Sequence, residues 1–183
     1  MFTYNFNIAE TLSKNELADI EKFLKYSFEM NIVFKSLKDY VTVLMDNEII
    51  IGVLCINTEK DVYPDIYNLT IHPEYRGQNL CRKLIEYTLK QTIIFQGNRY
   101  TLDTNPTQLY VRTDKKKKNI PAIKCYENVG FFFDKRDIVN KNGYDHTLMI
   151  RNGYTVKPDR KNMICLLFLF LLFLLFLDYC DKK

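Results

Sequence analysis

Histidine, closely spaced cysteines and long runs of one charge are scarce in this sequence, and each shortage removes a class of chemistry. Only His72 and His146 occur, and neither belongs to a Ser/His/Asp or Cys/His arrangement, so that kind of nucleophilic catalysis has no candidate. The five cysteines (Cys55, Cys81, Cys125, Cys165 and Cys180) are odd in number and widely spaced, with no Cys-x-x-Cys pair. A zinc site and a disulfide framework are therefore not expected, and a reducing cytosol suits the chain best. The 26 Lys and Arg residues are interspersed with 22 Asp and Glu residues for a net charge of +4, which argues against nucleic acid as a partner. Met1 to Ile8 lacks the basic and then apolar pattern of a secretory signal.

What remains is apolar material: 47% of 183 residues, enough for one well-buried domain and an appendage. Residues 1–151 read as that domain, 152–162 as a linker and 163–180 as a hydrophobic tail. Ser13-x-x-Glu16 is a capping-box pattern, and Leu17, Ile20, Leu24 and Phe28 share one face after it, so Lys14–Phe28 is expected to be helical. Tyr40–Asp46 alternates, turns at Asp46-Asn47 and continues as the apolar run Ile49–Ile56, which predicts a hairpin with a buried second strand. A further strand, Asp65–His72, stops at Pro73.

A helix should then begin near Gln78 or Asn79 and end before Gly97, with Cys81, Leu84, Ile85 and Leu89 facing inward. A short strand is expected at Leu109–Thr113. Pro121–Asn128 reads as a helix with proline in its first turn and Gly130 just past its end. Phe131–Val139 and Tyr144–Ile150 flank Asn142-Gly143, a pair that favours a type I′ turn. Strands and helices in this order predict an α/β class fold, a mixed sheet with helices on its faces.

The segment Ile71-His72-Pro73-Glu74-Tyr75-Arg76-Gly77-Gln78-Asn79-Leu80-Cys81 runs from a strand end through a tight loop into a helix. Main-chain N–H groups at such a helix start have no helical partner and, with the helix dipole, suit a pyrophosphate. The order of residues resembles the GNAT acetyltransferase signature Arg/Gln-x-x-Gly-x-Gly/Ala, with Arg76 at its first position. Asn79 stands where that signature has its first glycine, and Cys81 where it has its last glycine or alanine. Because amides do the binding, these departures imply weakened rather than abolished affinity. Downstream, Asn119-x-x-Ala122-x-x-x-Tyr126-x-x-x-Gly130-Phe131 resembles the second motif of the same family in residue type and spacing. The resemblance covers the span from the Tyr40 strand to Ile150.

It implies a GNAT-like, mostly antiparallel central sheet flanked by helices. It also implies an N-acetyltransferase that uses acetyl-CoA as co-substrate and lets an amine attack the thioester directly, without a covalent enzyme intermediate. By resemblance, the coenzyme would meet main-chain groups of Leu69, Thr70 and Ile71, the loop residues Arg76, Gly77, Gln78, Asn79, Leu80 and Cys81, and Asn119. The groups near Thr70 and Ile71 would also polarise the acetyl oxygen. Tyr126 matches the tyrosine that protonates the departing thiolate. Asp65 sits where some family members place a glutamate that deprotonates the amine through water. Cys81 is read as small-residue packing, not as a nucleophile. Lys115–Lys118 is read as a contact to the 3′-phosphate of CoA, as an anion or nuclear-import patch, or as a solvated loop. The acceptor, peptide or small molecule, would be chosen by Met30–Asp39 and Arg136–Asn142.

Met163–Leu177 contains no charge and is apolar right round a helix. Fifteen helical residues span ~22 Å against a hydrocarbon thickness of about 30 Å. Tyr179, Lys182 and Lys183 at one end, with Arg160 and Lys161 at the other, extend it toward the two interfaces. A C-terminal membrane anchor with the catalytic domain in the cytosol is the leading expectation. Burial in a partner or dimer interface, or a low-complexity extension, are its rivals. For the whole protein, the rival to an enzyme is an acyl-CoA-binding or membrane-attached interaction module that has lost catalysis.

Overall fold

Alternating apolar residues in β2 (Tyr40–Asp46) and the near-continuous apolar run of β3 (Ile49–Asn57) pair as an antiparallel hairpin, turning through Asn47 at φ 54°. In this computed structural model, which describes residues 1–28, 36–59, 62–113, 119–141 and 144–153, that hairpin is the middle of one half of a seven-stranded sheet. β1 (Phe2–Ile8) lies outside β2, and β4 (Asp65–Ile71) pairs with the other side of β3. β7 (Thr107–Arg112), β9 (Tyr144–Arg151) and β8 (Phe132–Lys141) complete the order β1-β2-β3-β4-β7-β9-β8. Every neighbouring pair is antiparallel except β4 with β7. The expected mixed, mostly antiparallel sheet flanked by helices is therefore the observed architecture.

Period-two alternation splits the core into two layers. Val41, Val43, Val53 and Cys55 face α1 (Lys14–Phe28) and pack on its Ile20, Phe23 and Leu24. Leu44, Ile51, Leu54 and Ile56 belong to the other cluster, with Leu80, Leu84, Ile85 and Leu89 of α2 (Leu80–Leu89) and Ile123 of α3 (Ile120–Asn128). Burying each such Leu or Ile stabilises the fold by about 1.5–3 kcal/mol. The capping box forms as expected. Ser13 donates its N–H and its hydroxyl to Glu16 Oε2 at 2.8 and 2.7 Å, and the Glu16 N–H returns to Ser13 Oγ at 3.3 Å.

Two expectations are corrected. The helix expected to run toward Gly97 stops at Leu89, and Thr92–Phe95 (β5) and Asn98–Thr101 (β6) form a separate two-stranded sheet. The reason is local: Thr92, Ile93 and Ile94 are β-branched, Ile93 and Phe95 are buried while Thr92 and Ile94 are exposed, and Gln96 and Gly97 both take positive φ, as a type I′ turn requires. The cysteines are not all unpaired, because Cys81 and Cys125 form a disulfide between α2 and α3. Tertiary packing places these two positions together, with Cα atoms 6.6 Å apart, a separation that spacing along the chain does not reveal. Arg151 holds the end of β9 in place. Its buried guanidinium donates to the carbonyls of Val129 and Asp103 at 3.1 Å each and to Asp103 Oδ1 at 2.6 Å, fastening β9 to the end of α3.

The Asn142-Gly143 turn, Lys115–Lys118, most of Met30–Asp39, and the linker and tail beyond residue 153 lie outside the described residues. Among the described residues no helix is long and apolar enough to cross a membrane.

Candidate active site

Parallel strands β4 and β7 are paired only at Asp65 with Gln108 and Ile66 with Leu109. Beyond those two positions they part, although β4 runs on to Ile71 and β7 to Arg112. β4 keeps its pairing to β3 on the other edge, where Thr70 meets Val53 and Ile71 meets Gly52, across a bulge that puts Asn68 at φ 49°. The β7-facing edge of Leu69, Thr70 and Ile71 thus has no strand partner among the described residues. Such an edge presents main-chain donors and acceptors into a wedge. These are the three residues that the family resemblance implies for the coenzyme.

The wedge opens toward the loop at residues 72–79. The His72 N–H donates to Ile51 O at 2.8 Å, a short 3-10 turn covers Pro73–Tyr75, and Arg76 Nε donates back to Ile71 O at 3.0 Å. Gly77 takes φ +82° and Asn79 φ +60° before α2 begins. Asn79 therefore keeps the left-handed backbone that a signature glycine would supply, and asparagine is the side chain that tolerates this best after glycine. Asn79 sits at the N-cap position but makes no capping hydrogen bond. The left-handed backbone turns its side chain away from the geometry that a cap needs. The first turn of α2 also lacks an acidic residue, so no acid of its own turn meets its orphan N–H groups and dipole. Gly77, Gln78, Asn79, Leu80 and Cys81 thus line one amide-rich helix start, suited in charge and donor number to a diphosphate.

α3 follows β7 as α2 follows β4. Asn119 caps it, with Oδ1 accepting from the Ala122 N–H at 3.2 Å, and Pro121 lies in its first turn. Gly130 ends it at φ +93°. Tyr126 packs against the core cluster it shares with Ala122 and Cys125, with its ring edge-on to Phe131 at 6.3 Å. Burial pushes its hydroxyl up to about 12, so it carries its proton throughout the neutral range.

Asp65 is not at the same end. It is buried where β4 and β7 are still paired, and four residues of strand separate it from Leu69, roughly 13 Å along the chain. Its neighbourhood holds a residue that sequence reasoning missed. Asp39 is fully buried, accepts from Asn57 Nδ2 at 2.8 Å and from the Ser36 N–H at 3.1 Å, and is the acceptor for the Tyr67 hydroxyl. An aspartate at a strand start has no sequence signal that distinguishes it from a turn residue. His72, given no role from sequence, stacks on Tyr26 and Phe23 at 5.5 and 6.3 Å. There it closes one end of a groove of about 610 Å³ between α1 and β1–β3, a groove that contains none of Arg76–Cys81.

Residues 38–131 match the family model described as an acetyltransferase (GNAT) domain. A comparison with curated protein sequences finds no match. Solved structures with the same fold include an acyl-CoA N-acyltransferase from Pseudomonas aeruginosa (TM-score 0.61, 14% identity, 82% of this chain and 99% of that one). The ribosomal-protein-S18-alanine N-acetyltransferase from Escherichia coli aligns at TM-score 0.57 with 17% identity over 87% of this chain and 98% of its own. A third, yncA from Salmonella typhimurium with its cofactor acetyl-CoA, aligns at TM-score 0.59 with 14% identity over 84% and 95%.

Proposed function

The chain belongs to the GNAT acetyltransferase family, acyltransferases that draw on acetyl-CoA, and on that premise we propose that it acetylates an amine by direct attack on the thioester. The observation that carries this reading is the parting of β4 and β7 after two paired residues, immediately ahead of a helix start without a side-chain cap. The wedge edge at Leu69, Thr70 and Ile71 would hold the pantetheine arm and donate to the acetyl oxygen as negative charge grows on it. Loss of one such donor costs about 3 kcal/mol in other oxyanion holes. Arg76 and the amides of Gly77–Cys81 would take the diphosphate, and Asn119 would border the arm from the start of α3.

Tyr126 would give its proton to the sulfur as the thiolate leaves. A hydroxyl raised to about 12 supports that role to the extent that the proton is in place throughout the neutral range. Asp65 as the base stands on its place at the head of β4. Roughly 13 Å of strand to the oxyanion donors means that Asp65 would take the amine's proton only through a relay of waters. The apolar run Met163–Leu177 supports attachment of the domain to a membrane. Truncation after Asn162 should then move the protein from the membrane fraction to the soluble one.

The test is release of free thiol from acetyl-CoA across a panel of amines. Turnover with at least one amine is expected, and Tyr126→Phe should lower kcat about 100-fold while leaving acetyl-CoA binding unchanged. Coenzyme binding with no acetylated amine, and no effect of Tyr126→Phe, would favour the acyl-CoA-binding module instead. Calorimetry that detects no heat with millimolar CoA would remove both readings.

A further inference from the structure

The Cys81–Cys125 bond spans the two helices that flank the wedge. Cys81 is the second residue of α2, inside the amide-rich turn, and Cys125 immediately precedes Tyr126 on α3. α2 follows the open end of β4 and α3 follows β7, so the bond ties together elements that the diverging strands would otherwise carry apart. Both cysteines are only partly buried at the margin of the core cluster, whereas Cys55 is fully buried and lies outside this bond. Among the described residues this is one isolated cystine, 44 residues in span, and not part of the framework of bridges found in small secreted domains. A solitary cystine at partly buried positions is more open to reduction by small thiols than one sealed inside a core.

We infer that Cys81 and Cys125 form a redox modification site, a reversible clamp that fixes the phosphate-binding turn relative to Tyr126. Its co-reactant is a low-molecular-weight disulfide of the glutathione class. The helix dipole favours negative charge at Cys81, so the Cys81 thiolate attacks that disulfide, forms a mixed disulfide and expels one small thiolate. The Cys125 thiolate then attacks the Cys81 sulfur, forms the cystine and expels the second. Two electrons pass from the protein sulfurs to the oxidant, and the two protein protons end on the two released thiols. A reducing pool runs the same steps backwards. The clamped form is the pre-organised one, since both helices are held before a coenzyme enters. The coenzyme part of this inference rests on the functional reading above; the redox part does not.

The experiment equilibrates the full-length chain with mixtures of reduced and oxidised glutathione. Alkylation with mass spectrometry then counts the Cys81–Cys125 peptide, while melting and CoA calorimetry are run on each form. Expected are a cystine that appears and disappears across the range with Cys55 unlinked throughout, a melting temperature about 10 °C lower after reduction, and CoA binding about tenfold weaker. Cys81→Ser and Cys125→Ser should each reproduce the reduced behaviour and abolish its response to glutathione. Free thiols at both positions in every mixture, or a cystine whose loss changes neither melting nor CoA binding, would overturn the inference. A pair that titrates and shifts melting while neither form binds CoA would sustain the redox site and sink the functional reading instead.

Discussion

The starts of α1 and α2 solve the same physical problem in opposite ways. Each helix begins with amide groups that have no partner in the preceding turn. At α1 the chain supplies its own acceptors, since Ser13 and Glu16 satisfy each other and the helix start. At α2 the N-cap residue is left-handed, makes no capping bond, and is followed by no acid in the first turn. α1 is therefore closed to an outside anion and α2 is open to one. The instability of an uncapped start is offset from the other direction: α2 buries Leu80, Leu84, Ile85, Thr88 and Leu89, five of its ten residues, against three of fifteen in α1. A helix whose N-terminus is left uncapped is held by its face.

That contrast can be broken by substitution. The largest effect belongs to the buried face: Leu84→Ala, at a side chain with no exposure, should cost about 3 kcal/mol of stability in denaturant melts. Next is Asn79→Asp, which tolerates the same backbone but brings a carboxylate to the α2 amides. CoA binding by calorimetry should weaken about tenfold while melting temperature holds or rises, because negative charge suits a helix start. Opposite signs on the two measurements are the signature of a ligand site, and a parallel loss of both would mean that the turn is merely structural. Ser13→Ala at α1 should do the reverse, lowering stability by about 1 kcal/mol with CoA affinity untouched.

The smallest effect is a pH dependence. The hydroxyl and the N–H of Ser13 hold the Glu16 carboxyl below its ordinary value of 4.5. A depressed carboxyl stabilises the fold above the unfolded value and loses that contribution as pH falls through the folded one. The melting temperature of Glu16→Gln should accordingly fall less steeply below pH 4.5 than that of the natural chain.

The α1 start was legible because every partner lies within four residues, and the two motifs were legible because their spacing follows a strand–loop–helix junction. Asn79 was harder. Its residue type suits both a cap and a left-handed turn, and only the backbone around Gly77 chooses the second. β5 and β6 were hidden because Thr92–Phe95 follows a helix without a break in apolarity, so helix and strand compete for the same residues. Asp39, Arg151 and the Cys81–Cys125 pair left no trace, since each depends on at least one partner 18 to 48 residues away.

Periodicity, caps and the two motifs, all local, were enough to determine the α/β class, the helix starts and the place of the turn proposed to take an anion. The parting of β4 from β7, the distance that keeps Asp65 from the wedge and the bond between α2 and α3 were decided by tertiary structure. Strand divergence and side-chain meeting arise from how separate elements pack, and no stretch of sequence contains both sides of such a contact.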